Sequence, residues 1–254
     1  MRVAELFLYP VKGGAAVPVA EMTLDALGPI GDRRLCLARP GGRVFTQRDD
    51  ASLARLRATP GARAVVLDFD GESLEVQFDT FVRSATLQVW SRIAGVRIAG
   101  DEVNAVLTRW FGTPLELARL EGPVHREDAV LALGDAAALL LANAASLDAL
   151  NAALPAPVPM ARFRPNVVIA GAAAYDEDGW PHLEIGDALL SPVHACGRCE
   201  VTTIDQEHGA ARGSEPLRTL ARLRERDGEP VFGVYFAVHR PGRIRVGDAA
   251  RPAG

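Results

Sequence analysis

The chain has 254 residues, enough to bury a substantial core as one large domain or as two closely packed domains. Hydrophobic residues make up 48% of the chain and charged residues 24%, as in an ordinary soluble protein. The formal net charge of −4 gives no overall attraction to nucleic acid or anionic lipid, and no apolar run reaches the roughly 18 residues of a membrane span. We therefore expect neither a nucleic-acid polymer nor a membrane as partner.

The N-terminus and the cysteines indicate a compartment. Residues Met1 to Leu6 do not begin a signal peptide, because no apolar stretch followed by a small-residue cleavage site is present. The chain has three cysteines, an odd number that suits a reducing environment better than a disulfide framework. The predicted location is the cytoplasm.

The first hundred residues are typical of short strands separated by turns. The predicted strands are Val3 to Tyr9, Arg34 to Ala38, Arg43 to Thr46, Ala64 to Phe69 and Ser73 to Phe78. Asp70-Gly71 lies between the last two and is a hairpin signal. This pattern predicts a barrel or a strongly bent sheet.

Three helical regions are predicted further along the chain. Apolar residues recur at helical spacing between Asp101, a candidate N-cap, and Gly112. A second helical region runs from about Asp135, restarts near Ser146 and stops at the prolines that begin with Pro155. The third begins at Ser214-Glu215-Pro216 and ends at Asp227-Gly228.

Further strands alternate with these helices in the second half. They are predicted at Asn166 to Ala170, His182 to Ile185, Leu189 to Val193, Glu200 to Ile204, Phe232 to His239 and Arg243 to Val246. The last two flank Pro241-Gly242, and we predict that they form a hairpin completing a second barrel. A domain boundary is expected near residue 121.

Two of the three cysteines, Cys196 and Cys199, lie three residues apart before the β-branched run Val201 to Ile204. Such a pair chelates zinc, exchanges a disulfide, supplies one thiolate to a softer metal, or is simply buried. Structural zinc needs two more ligands, and no second C-x-x-C or H-x₃₋₅-H pair is present. A redox dithiol normally opens a helix, whereas β-branched residues favour a strand. Arg198 between the thiols argues against simple burial, because an arginine in a core needs an anion.

Basic side chains near strand ends form a second group of interest. Lys12-Gly13-Gly14 follows the first predicted strand and combines a cation with flexible backbone amides, although a surface turn has the same composition. Arg33 lies at a charged strand entry, where it is more often a solvated charge or a partner of Asp32 than a ligand of an anion. Neither segment alone decides between these interpretations.

Arg164-Pro165-Asn166 is more specific, because it leads into a strand that reads as buried. An arginine and an asparagine at the mouth of a sheet can grip a phosphate, with the arginine bidentate. Pro165 is expected to hold Arg164 in an extended backbone conformation. A turn-forming asparagine beside a paired arginine is an equal alternative, just as Ser146 equally fits a helix cap.

These segments together resemble MOSC-domain proteins preceded by the N-terminal β-barrel domain of that family. The matching segments are Leu8-Tyr9-Pro10-Val11-Lys12-Gly13, Gly31-Asp32-Arg33, Phe45-Thr46-Gln47-Arg48, Phe163-Arg164-Pro165-Asn166 and Cys196-Gly197-Arg198-Cys199 with Thr202-Thr203-Ile204-Asp205. Similar members are the mitochondrial amidoxime-reducing components and their bacterial counterparts. The expected fold is mixed and β-rich (α+β). A β-barrel domain, residues 1–120, packs on a MOSC β-barrel domain, residues 121–254, with peripheral helices.

The resemblance implies a molybdenum cofactor of the molybdopterin type, bound to the metal through Cys199, and neither haem nor an iron–sulfur cluster in this chain. It implies cofactor contacts from Lys12, Gly13, Arg33, Asn143, Ser146, Arg164, Asn166, Gly197 and Arg198. Gly13 and Asn143 stand where relatives have serine, so recognition is expected to differ in detail. Asp205 is a candidate catalytic proton donor, or equally a turn carboxylate.

The implied activity is reduction of small N-hydroxylated molecules, namely amidoximes, hydroxylamines and N-hydroxylated nucleobases. No cysteine-rich ferredoxin-like extension follows Gly247-Asp248. Electrons are therefore expected from a separate protein of the flavoprotein reductase, ferredoxin or cytochrome b5 type. Two alternatives are a carrier that binds the cofactor without turnover and a sulfur-transfer protein, which the lack of a pyridoxal-phosphate domain weakens.

Overall fold

A computed structural model describes residues 1–89, 91–126, 129–134 and 136–253 of the chain. Strands account for 47% of the residues and helices for 19%, so the predicted β-rich α+β class is confirmed. Up to the first helix the strands are β1 (Arg2–Leu8), β2 (Val17–Pro18), β3 (Glu21–Asp25), β4 (Gly28–Pro29), β5 (Leu35–Arg39), β6 (Arg43–Phe45), β7 (Arg57–Pro60), β8 (Ala64–Phe69), β9 (Glu72–Gln77), β10 (Phe81–Val89) and β11 (Arg92–Ala99).

The remaining elements mix strands with short helices. In chain order they are α1 (Asp101–Phe111), β12 (Glu116–Leu120), β13 (Val124–Arg126), β14 (Ala129–Leu131), β15 (Leu139–Asn143), α2 (Ala144–Asn151), β16 (Val167–Ala170), β17 (His182–Ile185), β18 (Ala188–Gly197), β19 (Ile204–Asp205), β20 (Ala210–Ala211), α3 (Leu217–Leu223), β21 (Glu225–Arg226), β22 (Glu229–Arg240), β23 (Gly242–Arg245) and β24 (Ala250–Ala253). Short 3₁₀ helices lie at Ala51–Arg55, Phe78–Thr80, Met160–Phe163, Asp176–Gly179 and Glu200–Thr203.

The predicted N-terminal barrel is present. Strands β10, β11, β12, β5 and β6 close on themselves, and a buried apolar cluster that includes Leu37, Phe45 and Leu117 packs at this barrel. The three-stranded sheet β7-β8-β9 adds the predicted hairpin. Its turn residues Asp70 and Gly71 have φ angles of 50° and 86°, as a tight two-residue hairpin turn requires.

The second half is built on a large sheet that curls as half of a barrel. Its strand order is β2-β1-β16-β15-β22-β18-β17-β24. Leu6, Leu141, Ile169 and Phe236 contribute to one buried cluster on this sheet, so the sheet is covered by its own apolar side chains. Strand β1 from the start of the chain pairs antiparallel with β16. The division into residues 1–120 and 121–254 stays a prediction.

Several predicted elements differ from the structure. The helix expected from about Asp135, which itself lies outside the described residues, is replaced at 139–143 by strand β15. Residues Leu139 to Asn143 are all buried, because β15 lies between β16 and β22. A short apolar run buried on both faces does not distinguish strand from helix.

The strand predicted for Glu200 to Ile204 is also wrong over most of its length. Residues Glu200–Thr203 form a 3₁₀ helix, in which the Thr202 hydroxyl donates to the Cys199 carbonyl at 2.9 Å and the Thr203 hydroxyl to the Glu200 carbonyl at 2.7 Å. These local side-chain bonds compete with strand pairing and outweigh the β-branched preference. The loop after Cys199 is therefore a tight helical turn.

Two predicted turns serve other purposes. Asp227-Gly228 joins the paired strands β21 and β22, whereas helix α3 ends earlier, at Leu223. The hairpin expected around Pro241-Gly242 does not form, because β23 pairs with β3. The last part of the chain thus completes a sheet begun in its first part.

The helix ends differ by one or two residues from expectation. Gly100 is the N-cap of α1, and Asp101 is its first residue, while Gly112 ends the helix in the left-handed conformation with φ 63°. Asn143 caps α2 by accepting a hydrogen bond from the Ala145 amide. The start of α2 is thus fixed by a capping side chain, whereas the N-cap of α1 makes no side-chain hydrogen bond.

Candidate functional site

Most of the predicted site residues line one cleft. The predicted members of its wall are Lys12, Gly13, Arg33, Arg164, Asn166, Gly197, Arg198 and Cys199. The cleft is open to solvent and has a cavity volume of about 130 Å³. All of its empty space, including the part that merges with solvent, amounts to about 920 Å³. Residues far apart in sequence therefore meet at one surface.

Arg33 is fixed on one side of the cleft by three acceptors. Its Nη1 forms an ion pair with Asp32 and donates to the Asn166 Oδ1 at 3.1 Å, and its Nη2 donates to the Arg164 carbonyl at 3.3 Å. Its backbone has φ 48°, and its amide donates to the Tyr9 carbonyl at 2.7 Å. Arg33 thus pairs with Asp32 and lines the cleft, while its contact with an anion stays a prediction.

Tyr9 lies beneath two of the arginines. The guanidinium carbons of Arg33 and Arg164 lie 4.7 Å and 4.4 Å from the ring centre, within the range of a cation–π interaction. The Tyr9 hydroxyl donates to the Pro165 carbonyl at 3.1 Å. Burial raises the pKa of Tyr9 to about 12, so this hydroxyl keeps its proton at neutral pH.

Asn166 is fully buried and ties three segments together. Its Oδ1 accepts from the Leu140 amide at 3.2 Å as well as from Arg33, and its Nδ2 donates to the Phe7 carbonyl at 3.2 Å. The amide therefore joins β1 and β15 to the cleft. A direct contact to a ligand stays a prediction for this residue.

Arg164 reaches the cleft through an unexpected backbone conformation. The extended conformation predicted from Pro165 is wrong, because Arg164 has φ 55° and ψ 44° and ends the 3₁₀ helix Met160–Phe163. Its amide donates to the Ala161 carbonyl at 3.2 Å, and this bond stabilises a conformation that is rare for a non-glycine residue. Its Nη1 donates to the Gln206 Oε1 at 2.8 Å.

The two neighbouring cysteines have different surroundings. Cys196 is buried, and its Sγ accepts from Arg198 Nη1 at 2.7 Å. Cys199 is only partly buried and lines the cleft. Its Sγ accepts from Arg48 Nη2 at 2.9 Å. Both cysteines border the cleft, but Cys196 is buried and bonded within its own loop, whereas Cys199 is partly exposed.

Arg198 holds the cysteine loop from inside. Its Nη2 donates to the Phe163 carbonyl at 2.8 Å, and its amide donates to the Pro230 carbonyl at 2.7 Å. Its Nε is buried without a hydrogen-bond partner among the described residues. An unsatisfied buried donor is costly, so an acceptor at this position would stabilise the site.

Thr46, Gln47 and Arg48 are among the cleft residues that lie outside the predicted set. The segment Phe45-Thr46-Gln47-Arg48 belongs to the family resemblance, and that was the available signal. Gln47 donates to the Gly13 carbonyl at 2.7 Å and exchanges two 2.9 Å side-chain hydrogen bonds with Gln206. No sequence signal pointed to Gln206.

Asn143 and Ser146, predicted to contact a cofactor, do not line the cleft. Both instead donate to Glu177 Oε2, Asn143 at 3.1 Å and Ser146 at 2.8 Å. Ser146 also accepts from the Tyr175 amide at 2.7 Å. All three polar side chains are buried, and they stabilise the start of α2 in the structure.

Asp205 is likewise absent from the cleft wall. Its Oδ1 accepts from the Glu207 and His208 amides at 3.0 Å, and its Oδ2 accepts from Arg212 at 3.3 Å. Although burial alone would raise the pKa of Asp205, hydrogen bonds from His208 and Glu207 lower it to about 2. Such a group is ionised at neutral pH, which does not support the predicted role as proton donor.

In the described part of the chain, the cysteine pair does not belong to a cluster of metal-binding side chains. Among residues 1–89, 91–126, 129–134 and 136–253, no group of three or more His, Cys, Asp and Glu side chains is placed to hold a metal ion. Tetrahedral zinc held by side chains alone needs four ligands. The arrangement offers instead one partly exposed thiol surrounded by cations.

Comparison with known families gives the class. Residues 1–114 match the MOSC N-terminal beta barrel domain, and residues 128–251 match the MOSC domain. The chain belongs to the family of MOSC-domain proteins that carry this N-terminal barrel, and the predicted resemblance is confirmed.

The relatives are reductase components by name. Mitochondrial amidoxime-reducing component 1 of Xenopus laevis is 32% identical over 97% of this chain and 80% of its own length. The Homo sapiens component 1 is 31% identical over 97% and 81%, and the Homo sapiens component 2 is 29% identical over 97% and 82%.

The comparisons leave the compartment open, since these relatives are mitochondrial by name. Within the described ranges, no helix has both the length and the apolar character needed to cross a membrane. The cytoplasmic location stays a prediction.

Proposed function

We propose that this protein is a molybdenum-cofactor-dependent reductase of small N-hydroxylated compounds. The observation that carries the proposal is the single partly exposed thiol, Cys199, in a cleft lined by Lys12, Arg33, Arg164 and Arg198. A thiolate is a suitable ligand for a soft metal, and arginine binds phosphate with matched geometry. The names of the relatives point to the same chemistry.

The donor set fits a phosphate-bearing pterin cofactor. The buried Nε of Arg198 lacks a partner in the described part of the chain, and a bound anion or pterin oxygen would supply the acceptor. Gly13 brings backbone rather than a side chain to the wall beside Lys12. In this proposal Lys12, Arg33 and Arg164 hold the phosphate and pterin, and Cys199 Sγ binds the metal.

The reaction is a two-electron reduction. An amidoxime takes up two electrons and two protons, its N–O bond breaks, and an amidine and water leave. The bound cofactor would supply the two-electron redox chemistry. A separate electron-donor protein of the flavoprotein reductase, ferredoxin or cytochrome b5 type would deliver the electrons.

The chain's own residues orient the reacting centre. Arg48 fixes the Cys199 side chain from the barrel side, because its Nη2 contacts Sγ and its Nε donates to Glu200 Oε1 at 2.8 Å. Arg198 fixes the other side of the loop through Cys196 and Phe163. Cys199 is therefore held in one orientation before any metal arrives.

The test is expression in a host that makes the molybdenum cofactor. Molybdenum and pterin are measured by mass spectrometry, and benzamidoxime reduction is assayed with a chemically reduced dye. We expect about one molybdenum per chain and formation of benzamidine. Protein without molybdenum contradicts the proposal, and stoichiometric cofactor without turnover identifies a carrier instead.

The two cysteines provide a matched pair of variants. Cys199→Ser is expected to lower both molybdenum content and activity to near background, because a hydroxyl is a poor replacement for a soft thiolate ligand. Cys196→Ser should retain the metal and lose only part of the activity, since Cys196 supports the loop. Full activity in Cys199→Ser would refute the ligand assignment.

A further inference from the structure

A second cavity adjoins the cleft. The two share Lys12, Thr46 and Arg48 in their walls. The second cavity is open to solvent and has a volume of about 450 Å³, within the range of roughly 300–1,000 Å³ that is usual for small-molecule sites. It therefore has room for a ligand of its own beside whatever fills the cleft.

The second cavity begins next to the proposed metal ligand. Arg48 lines both cavities, and its Nη2 lies 2.9 Å from Cys199 Sγ. Arg48 thus borders the second cavity and also contacts the sulfur. A substrate in this cavity would lie against the same side chain that contacts the proposed metal ligand.

The ionisable lining of the second cavity is mostly cationic. Among the residues that the structure describes, the cavity is lined by three cations, Lys12, Arg43 and Arg48, and by one carboxylate, Asp49. Asp49 already has hydrogen-bond donors within the protein. Its Oδ2 accepts from the Thr46 amide at 2.9 Å and from the Thr46 hydroxyl at 3.0 Å. The cavity consequently favours an anionic ligand.

Arg43 is held in place but remains accessible. Its Nη2 pairs with Asp49 Oδ1, which also lies 3.7 Å from Arg39 Nη2. Arg39 and Arg43 lie opposite each other in the β5–β6 pair. The Arg43 side chain is 64% exposed, and a guanidinium has five N–H donors, so it can bind a second anion while paired with Asp49.

We propose that the second cavity is the substrate site and that Arg43 binds a carboxylate or phosphate group on an N-hydroxylated substrate. The inference rests on the proposed reductase function, because it names the substrate class of that same site. An anionic group at Arg43 would place the rest of a small substrate along the cavity toward Arg48 and Cys199.

The kinetic test compares substrates that differ only in charge. The loaded enzyme is assayed with neutral benzamidoxime and with three derivatives that carry a charged group at position 4 of the ring. These groups are a carboxylate, a phosphate ester and an aminomethyl group. We expect kcat/KM to be highest for an anionic compound and lowest for the cationic one. The better of the two anions distinguishes a carboxylate-bearing from a phosphate-bearing natural substrate.

The variant Arg43→Gln assigns the preference to one side chain. The ratio of kcat/KM for the better anion to that for benzamidoxime is expected to fall roughly fivefold, as for the loss of one partly exposed ion pair. Arg109→Gln is the matched control, because Arg109 is 61% exposed, pairs with Glu72 and lines neither cavity. An unchanged ratio in Arg43→Gln overturns the inference, as does equal use of neutral and anionic substrates by the wild type.

A binding measurement separates this inference from the proposed function. Calorimetric titration with 4-carboxybenzamidine and with benzamidine, using protein prepared with and without cofactor, measures affinity without turnover. Tighter binding of the carboxylate that Arg43→Gln removes supports the anion site even if no amidoxime is reduced, in which case the reductase proposal alone fails. Equal affinities for the two amidines contradict the anion site even in an active reductase.

Discussion

A single ring supports two of the arginines that face the cleft. Tyr9 is buried, it lies under Arg33 and Arg164, and its hydroxyl bonds to the backbone between Arg164 and Asn166. Its contacts therefore act on the position of the cations rather than on a ligand. Substitutions at Tyr9 distinguish the hydroxyl from the ring.

Tyr9→Phe is expected to lower the free energy of unfolding by about 1–2 kcal/mol, because the Pro165 carbonyl loses its buried partner. Tyr9→Leu should cost more, since it also removes the ring beneath two guanidinium groups. Urea unfolding followed by circular dichroism measures both variants. Equal costs for the two substitutions would show that the cation–π contacts contribute nothing to stability.

At the scale of elements, a buried carboxylate connects α2 to the 3₁₀ helix Asp176–Gly179. Glu177 is buried, and its Oε2 accepts from Asn143 and Ser146 while its Oε1 has no hydrogen-bond partner in the described ranges. Burial raises the pKa of Glu177, although hydrogen bonds from Ser146 and Asn143 oppose the shift. Because this carboxylate is buried with partners on only one oxygen in the described part of the chain, it takes up a proton more readily than an exposed glutamate does.

Because its pKa is raised, Glu177 makes a contribution to the free energy of unfolding that depends on pH. Its stabilising contribution is complete below the ordinary glutamate pKa and is lost as the pH rises through the higher pKa of the folded state. Glu177→Gln removes this loss. We therefore expect the Tm of the variant relative to wild type to rise between about pH 4 and neutrality, as measured by calorimetry across that range.

Glu184→Gln is the matched control, because Glu184 lies on β17 with its side chain 50% exposed. Its Tm difference from wild type should stay nearly constant over the same pH range. A flat difference for Glu177→Gln as well would show that the pKa of this carboxylate is the same in the folded and the unfolded protein.

The elements also show what sequence patterns predict and what they miss. The β8–β9 hairpin follows from local turn chemistry at Asp70-Gly71, and α1 from its apolar spacing. The sequence wrongly predicts a helix at strand β15, because an apolar run that is buried on both faces fits a helix as well as a strand. Elements determined by residues close in sequence can be predicted from the sequence. Elements determined by packing against distant parts of the chain cannot.

The cleft follows the same rule. Lys12, Arg33, Arg164 and Cys199 were predicted together through family motifs, and they line one cleft. The contact of Arg48 with Cys199 joins residues 151 positions apart, and no spacing rule reaches that far. Asn143 and Ser146 lie in the packed interior instead, where they bind Glu177.

At the scale of the whole molecule, the two ends of the chain interlock. Strand β1 pairs with β16, and β23 pairs with β3. Val3 and Leu6 on β1 are each 1% exposed and pack in the cluster of the large sheet. Neither half of the chain buries its own apolar strands completely.

We expect residues 1–120 expressed alone not to fold cooperatively, because β1 loses β16 and β3 loses β23, which leaves each strand with one exposed edge. Proton–nitrogen NMR spectra and thermal melts of the fragment measure this. Co-expression with residues 121–254 should restore a dispersed spectrum. A fragment that melts cooperatively by itself would instead support the predicted boundary near residue 121 as an independent folding limit.

The interlocked strands also set the order of events during synthesis. The wall of the cleft includes both Lys12, which precedes β2, and Tyr235 on β22. Strand β3 cannot pair with β23 until β23 has been synthesised. The complete cleft therefore cannot form before β22 has left the ribosome. Any cofactor that needs the whole wall of this cleft has to be inserted after that point, when both halves of the described chain can pair.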